Sequence, residues 1–152
     1  MMTGFDEIRP LAWVELAARV VVGALFVYAG WVKAMDVYGF AKTVYGYGIL
    51  PGFLVNITAI ALPWVELVAG MMMIAGVWPR ASAGVVAGLL LVFMAAILFN
   101  IARGYTFDCG CFGAGDGETG WGTIIRDVAM LTPTLLVLGF RGRRVGAILG
   151  RG

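Results

Sequence analysis

Four long apolar runs constrain this chain more than any other feature of it. They cover about residues 11–34, 53–77, 81–102 and 121–140. Each has about the 20-residue length that an α-helix needs to cross the hydrocarbon core of a bilayer. Arg19 interrupts the first run, Glu66 the second, and Arg126 with Asp127 the fourth; the third carries no charge. Pro63 and Pro133 do not veto helices here, because neighbouring helices can re-satisfy the freed carbonyls. The expected fold is therefore all-α, a polytopic membrane protein built as one four-helix transmembrane domain over residues 1–152. Composition agrees: 61% of residues are hydrophobic and 13% charged, against about 45–50% and 25% in soluble domains. The lipid bilayer is the first partner implied.

What the composition lacks excludes whole classes of chemistry. The chain has no histidine, so a Ser-His-Asp triad, a His-held haem and a His-based zinc or copper site are ruled out. Two cysteines are too few for a four-thiolate zinc site or an iron–sulfur cluster within one chain. No resident metal is expected. A net charge of +2 is too small to suggest nucleic acid.

Loop charge sets an expected orientation. The tail carries Arg141, Arg143, Arg144 and Arg151, the amino end Arg9 and the second connection Arg80, whereas the third connection carries Asp108, Asp116 and Glu118 against Arg103. The positive-inside rule then places both termini in the cytoplasm of a bacterial cell and the connections at 35–52 and 103–120 on the outer, periplasmic side. Lys33 and Lys42 count against this and are outweighed by the tail. Val27-Tyr28-Ala29 is a feeble signal-peptidase motif, and Arg19 lies in the middle of the first run, unlike an apolar h-region; that span is expected to be retained. Gly84 and Gly88 make a GxxxG step on the third span, which permits close helix approach or reflects small residues in a crowded bundle. Met71-Met72-Met73 point around a helix rather than to one side, and read as packing.

The most informative segment is Phe107-Asp108-Cys109-Gly110-Cys111-Phe112-Gly113. Both cysteines lie here, one residue apart, in a glycine-rich connection on the side expected to be oxidising. A Cys-Gly-Cys disulfide closes a very small ring, which constrains little chain. Strained, exposed disulfides are the reducible kind. The pair reads as a redox dithiol, one cysteine attacking a partner's disulfide and the other resolving the mixed disulfide. Three readings compete: a permanent staple, a two-thiolate soft-metal site such as one for Cu(I), and two intermolecular bridges.

Charges inside spans mark candidate sites. At about 1.5 Å per residue, Arg19 and Glu66 fall roughly 12 and 16 Å from the inner surface, depths that suit a salt bridge. Such a pair fixes helix register, lines a quinone cavity or relays protons. Lys33, Asp36, Arg126 and Asp127 are expected within one or two turns of the outer surface. Arg126 there would lower a nearby thiol pKa, as would the amino end of the fourth span, while Asp108 opposes both. Arg126 and Asp127 pairing with charges on neighbouring helices is the plainer alternative. Tyr38, Tyr45, Tyr47, Tyr105 and Trp121 fall where an aromatic belt is expected, and some of them could stack on a quinone.

These residues resemble a known family. Arg19, Gly23, Phe26, Ala29-Gly30 and Lys33, then Tyr47, Leu50-Pro51, Pro63, Glu66 and Gly70, then Asp108-Cys109-Gly110-Cys111-Phe112-Gly113, Trp121 and Arg126-Asp127, are similar to the DoxX-like superfamily and specifically its methylamine-utilisation MauE branch. The likeness runs from about residue 13 to about residue 140. It implies a four-helix inner-membrane bundle. It also implies association with the maturation of methylamine dehydrogenase, a disulfide-rich periplasmic enzyme, beside a thioredoxin-like partner; related DoxX proteins are tied to membrane redox complexes and thiosulfate–quinone oxidoreduction. This chain has no thioredoxin domain, so that partner would be a separate protein.

The expectation is a membrane thiol–disulfide oxidoreductase subunit. Cys109 and Cys111 exchange electrons with a thioredoxin-like or client protein, Arg126 tunes them, and a quinone is the candidate cofactor, with Glu66, Arg19 and Trp121 as candidate contacts. The alternative is a non-catalytic accessory subunit of a larger membrane redox complex, with a stapling disulfide.

Overall fold

The computed structural model describes residues 8–104 and 121–139. Five helices follow in order: α1 (Ile8–Met35), α2 (Val37–Gly46), α3 (Gly52–Ala75), α4 (Pro79–Ala102) and α5 (Trp121–Gly139). Four of them, all but α2, are long and apolar enough to cross a membrane. The protein is an all-α, multi-pass membrane bundle.

The helices close into a ring. α1 packs most extensively on α3, α3 meets α4, α4 meets α5, and α5 returns to α1. The core takes one stripe from each: Val22 and Phe26, Ala69 and Met73, Val86 and Leu90, Met130 and Val137. Spacings of four and seven put these residues on one helix face. The opposite faces are apolar too. Trp13, Tyr28, Trp64, Leu91, Val92 and Leu136 are exposed, which suits acyl chains rather than water. Polarity runs inward: Glu15, Arg19, Lys33, Glu66, Asn100 and Asp127 are all buried, as a bilayer demands of ionisable groups.

Glycine sets the α1–α3 contact. A Cβ on Gly30 would lie 2.7 Å from the Pro63 carbonyl oxygen, and one on Gly70 would lie 2.7 Å from that of Gly23. Only glycine lets two backbones meet this closely. The Gly84–Gly88 step does no such work among the described residues: a Cβ at Gly88 would meet none of them within 4 Å. The α3–α4 turn is tight, with Gly76 left-handed at φ 73° closing α3 and Pro79 opening α4.

Two expectations change here. The first connection contains a helix, α2, where the sequence reading has only a loop. Asp36 caps it, its side chain accepting from the Gly39 N–H at 2.8 Å. Phe40 and Val44 then bury against Val55 and Ala59 of α3. The second change is register. With Gly30 opposite Pro63, α1 ends well short of the start of α3, by nearly two turns or roughly 9 Å at 1.5 Å per residue. Helix α2 covers the stretch of α3 left over. Residues at the end of α1 thus lie alongside the middle of α3, away from its amino-terminal end.

Candidate functional site: a buried charge cluster

That register brings together two residues the sequence reading kept apart. The Lys33 ammonium, in the last turn of α1, donates to both oxygens of the Glu66 carboxylate, at 2.6 and 2.8 Å. Both side chains are almost fully buried. Lys33 Nζ also sits 5.3 Å from the ring centre of Phe40 and 5.0 Å from that of Phe93, so aromatic faces from α2 and α4 lie beside the cation.

The expected Arg19–Glu66 bridge is not formed. Arg19 is buried, but its Nε donates to the Met73 carbonyl at 3.1 Å. Its guanidinium packs against Gly76, in space that a side chain there would fill. This end of α3 leaves carbonyls without intrahelical donors and carries the negative end of the helix dipole, so a cation is stabilised there. In this register Arg19 meets α3 almost two turns past Glu66, too far to pair with it. Lys33, expected near the outer surface, takes the partner instead. At 1.5 Å per residue Glu66 lies roughly 21 Å from the amino-terminal end of α3 and roughly 14 Å from its carboxy-terminal end.

Arg126 and Asp127, side by side on α5, form a second ion pair. Arg126 Nε and Nη2 donate to Asp127 Oδ1 at 3.3 and 3.2 Å. Arg126 is a third exposed and Asp127 buried. Among the interactions of the described residues these two charges pair with each other, and Arg126 has a further interaction besides. The other carboxylate oxygen, Asp127 Oδ2, is buried and receives no hydrogen bond. The two pairs share one small cavity, lined by Lys33, Glu66, Arg126 and Asp127 with the apolar walls of Phe26 and Phe93.

Tyr47, just past α2, sits above this cluster. The belt expectation fits Tyr38 and Tyr45, which are exposed, but Tyr47 is buried, packed with Ile97 and Ile124. Burial pushes its phenol up to about 12, the Asp127 carboxylate adding to the rise and Arg126 opposing it. Neither the Lys33–Glu66 pair nor the burial of Tyr47 was found by sequence reasoning. The available signal was that Lys33 falls inside the first apolar run rather than after it.

Cys109, Cys111 and Asp108 lie outside the described residues. Trp121 is the first residue of α5, and its side chain also lies outside them. Of the candidate site residues, Glu66 and Arg126 come together at the cavity and Arg19 does not.

Comparison with known proteins follows the same segments. The family described as methylamine utilisation protein MauE matches the chain over residues 11–140. The chain is 32% identical over 123 residues to the methylamine utilization protein MauE of Paracoccus denitrificans, a match covering 80% of this chain and 66% of that protein. It is 41% identical over 73 residues to the protein of the same name from Methylophilus methylotrophus, covering 47% and 38%. A third, from Methylorubrum extorquens, is 38% identical over 74 residues, covering 48% and 40%. The chain thus spans just under two thirds of the first of these relatives and about two fifths of the others. No solved structure matches it.

Proposed function

The chain belongs to the MauE family, and on that footing we propose that it is a membrane thiol–disulfide oxidoreductase subunit serving methylamine utilisation. Cys109 and Cys111 cycle between dithiol and disulfide on the outer face of the bacterial inner membrane, with both termini cytoplasmic. One sulfur attacks the disulfide of a thioredoxin-like or client protein. The bond between the partner's sulfurs breaks, a mixed disulfide forms, and the partner's second sulfur leaves as a thiolate. The other cysteine then attacks the mixed disulfide, freeing the reduced partner and leaving Cys109–Cys111 oxidised. The reverse sequence oxidises a client. A membrane quinone is the two-electron acceptor or donor that resets the pair. That choice rests on the resemblance to DoxX-like proteins and what it implies about membrane redox complexes.

One observation carries this reading. Both cysteines of the chain stand one residue apart, in the segment that joins α4 to α5. A pair that closes so small a ring adds little to stability, and thiol exchange is the chemistry left to it. Support comes from Arg126 in the second turn of α5, a cation on the helix that this segment enters.

The test is to replace Cys109 and Cys111 singly and together by serine, and to quench cells with a thiol alkylator. One single variant accumulates a mixed disulfide with a periplasmic thioredoxin-like protein or client, and growth on methylamine fails in all three. A double-serine protein that supports full growth would instead make the chain an accessory subunit of a larger membrane complex, its cysteines a dispensable staple.

A further inference from the structure

The cavity between the two ion pairs has a volume of about 20 Å³. That is room for a single water, which needs about 10–15 Å³ measured this way and two or more polar partners. Lys33 and Asp127, which both line it, can supply them. Asp127 Oδ2 is buried and receives no hydrogen bond, an arrangement that costs a carboxylate oxygen dearly away from water. Lys33 has three ammonium hydrogens, of which the bonds to Glu66 Oε1 and Oε2 use two. Charged groups reach the cavity from α1 (Lys33), α3 (Glu66) and α5 (Arg126, Asp127); α4 contributes only Leu90 and Phe93.

We propose that this cavity binds one water, which accepts the third Lys33 N–H and donates to Asp127 Oδ2. The water turns two separate ion pairs into one network across α1, α3 and α5. It satisfies the last carboxylate oxygen without bringing a further charge into the membrane. It also ties the position of α5 to the α1–α3 pair. The site is sized for water, and the charges of the described residues that line it balance.

Two measurements on the full-length protein in lipid nanodiscs test this. A structure at a resolution that shows ordered solvent gives a peak within hydrogen-bond distance of both Lys33 Nζ and Asp127 Oδ2. A dry cavity, or Asp127 Oδ2 bonded directly to a side chain, overturns the proposal. The second measurement is a thermodynamic cycle. The Lys33→Met/Glu66→Leu double variant, which removes that pair as a unit, is combined with Asp127→Asn, and the unfolding equilibria are compared. Bridging predicts effects that depart from additivity by about tenfold or more. Agreement with additivity within twofold overturns the bridging role even if the peak is present.

Discussion

Lys33 on α1 holds both carboxylate oxygens of Glu66 on α3, at 2.6 and 2.8 Å, with neither side chain open to solvent. This one relationship fixes how far α1 slides along α3, and it decides how each single substitution behaves. Removing one partner strands a charge inside the bilayer. Lys33→Met or Glu66→Leu alone is expected to cost about 3–5 kcal/mol, whereas the double variant returns to within about 1 kcal/mol of the parent or exceeds it. Unfolding titrations in mixed micelles read this directly. Single variants as stable as the double would mean that the pair does not set the register.

The same interface predicts a contrast among glycines. Gly30→Ala and Gly70→Ala each drive a methyl into backbone at 2.7 Å, and α1 and α3 must separate to accommodate it. A loss of about 1–3 kcal/mol follows, the usual range for overpacking. Gly88→Ala meets open space and is expected to be neutral, or to gain up to about 1 kcal/mol from helix propensity. Melting temperatures of the three variants, measured side by side in one detergent, rank them. A Gly88→Ala loss as large as that at Gly30 would show that α4 packs there against something other than the described residues.

How much of this was legible beforehand follows from what a linear sequence encodes. The four spans were, because 20-residue apolar runs have few other uses. The Cys109–Cys111 spacing is local and can be read directly, but it lies outside the described residues. The pairing of charges was not legible. Counting depth along each span assumes that all helices start at a common plane, and that assumption pairs Arg19 with Glu66. α1 breaks it by stopping nearly two turns early and handing over to α2. Arg19 then lies near the carbonyl end of α3, and Lys33 draws level with Glu66. α2 itself was hidden because ten residues in a connection carry too little periodicity to register. Its signals, the Asp36 cap and the Phe40–Val44 step, gain meaning only against the uncovered face of α3.

Tyr47 carries a pH signature. Its phenol is pushed up to about 12, above the ordinary value near 10, so folding favours the neutral form. The sign follows: this stabilising contribution is whole below pH 10 and is lost as pH rises from about 10 towards 12. Absorbance at 295 nm during an alkaline titration should show one tyrosine ionising last, near pH 12, as the protein unfolds. Tyr47→Phe should remove that final step and leave the earlier ones in place. A Tyr47→Phe curve that keeps it would assign the late phenol to another residue.

Arg126 offers the sharpest link between the described bundle and the proposed chemistry. Its guanidinium is a third exposed, in the second turn of the helix that follows the cysteine segment. A cation there stabilises thiolate over thiol, and one unit of thiol pKa changes the thiolate fraction about tenfold at neutral pH. Arg126→Gln is therefore expected to slow alkylation of the reduced pair by about three- to tenfold at pH 7. The two rates should converge above pH 9, where the thiols ionise regardless. Arg126→Lys keeps the charge and should keep most of the rate. Because Arg126 also neutralises Asp127, Asp127→Asn provides the control: it disturbs the same ion pair without removing the cation. If Arg126→Gln and Asp127→Asn slow alkylation equally, the effect comes from a shifted α5 and not from charge. A rate unchanged in Arg126→Gln would leave Arg126 the structural partner of Asp127 and remove it from the thiol chemistry.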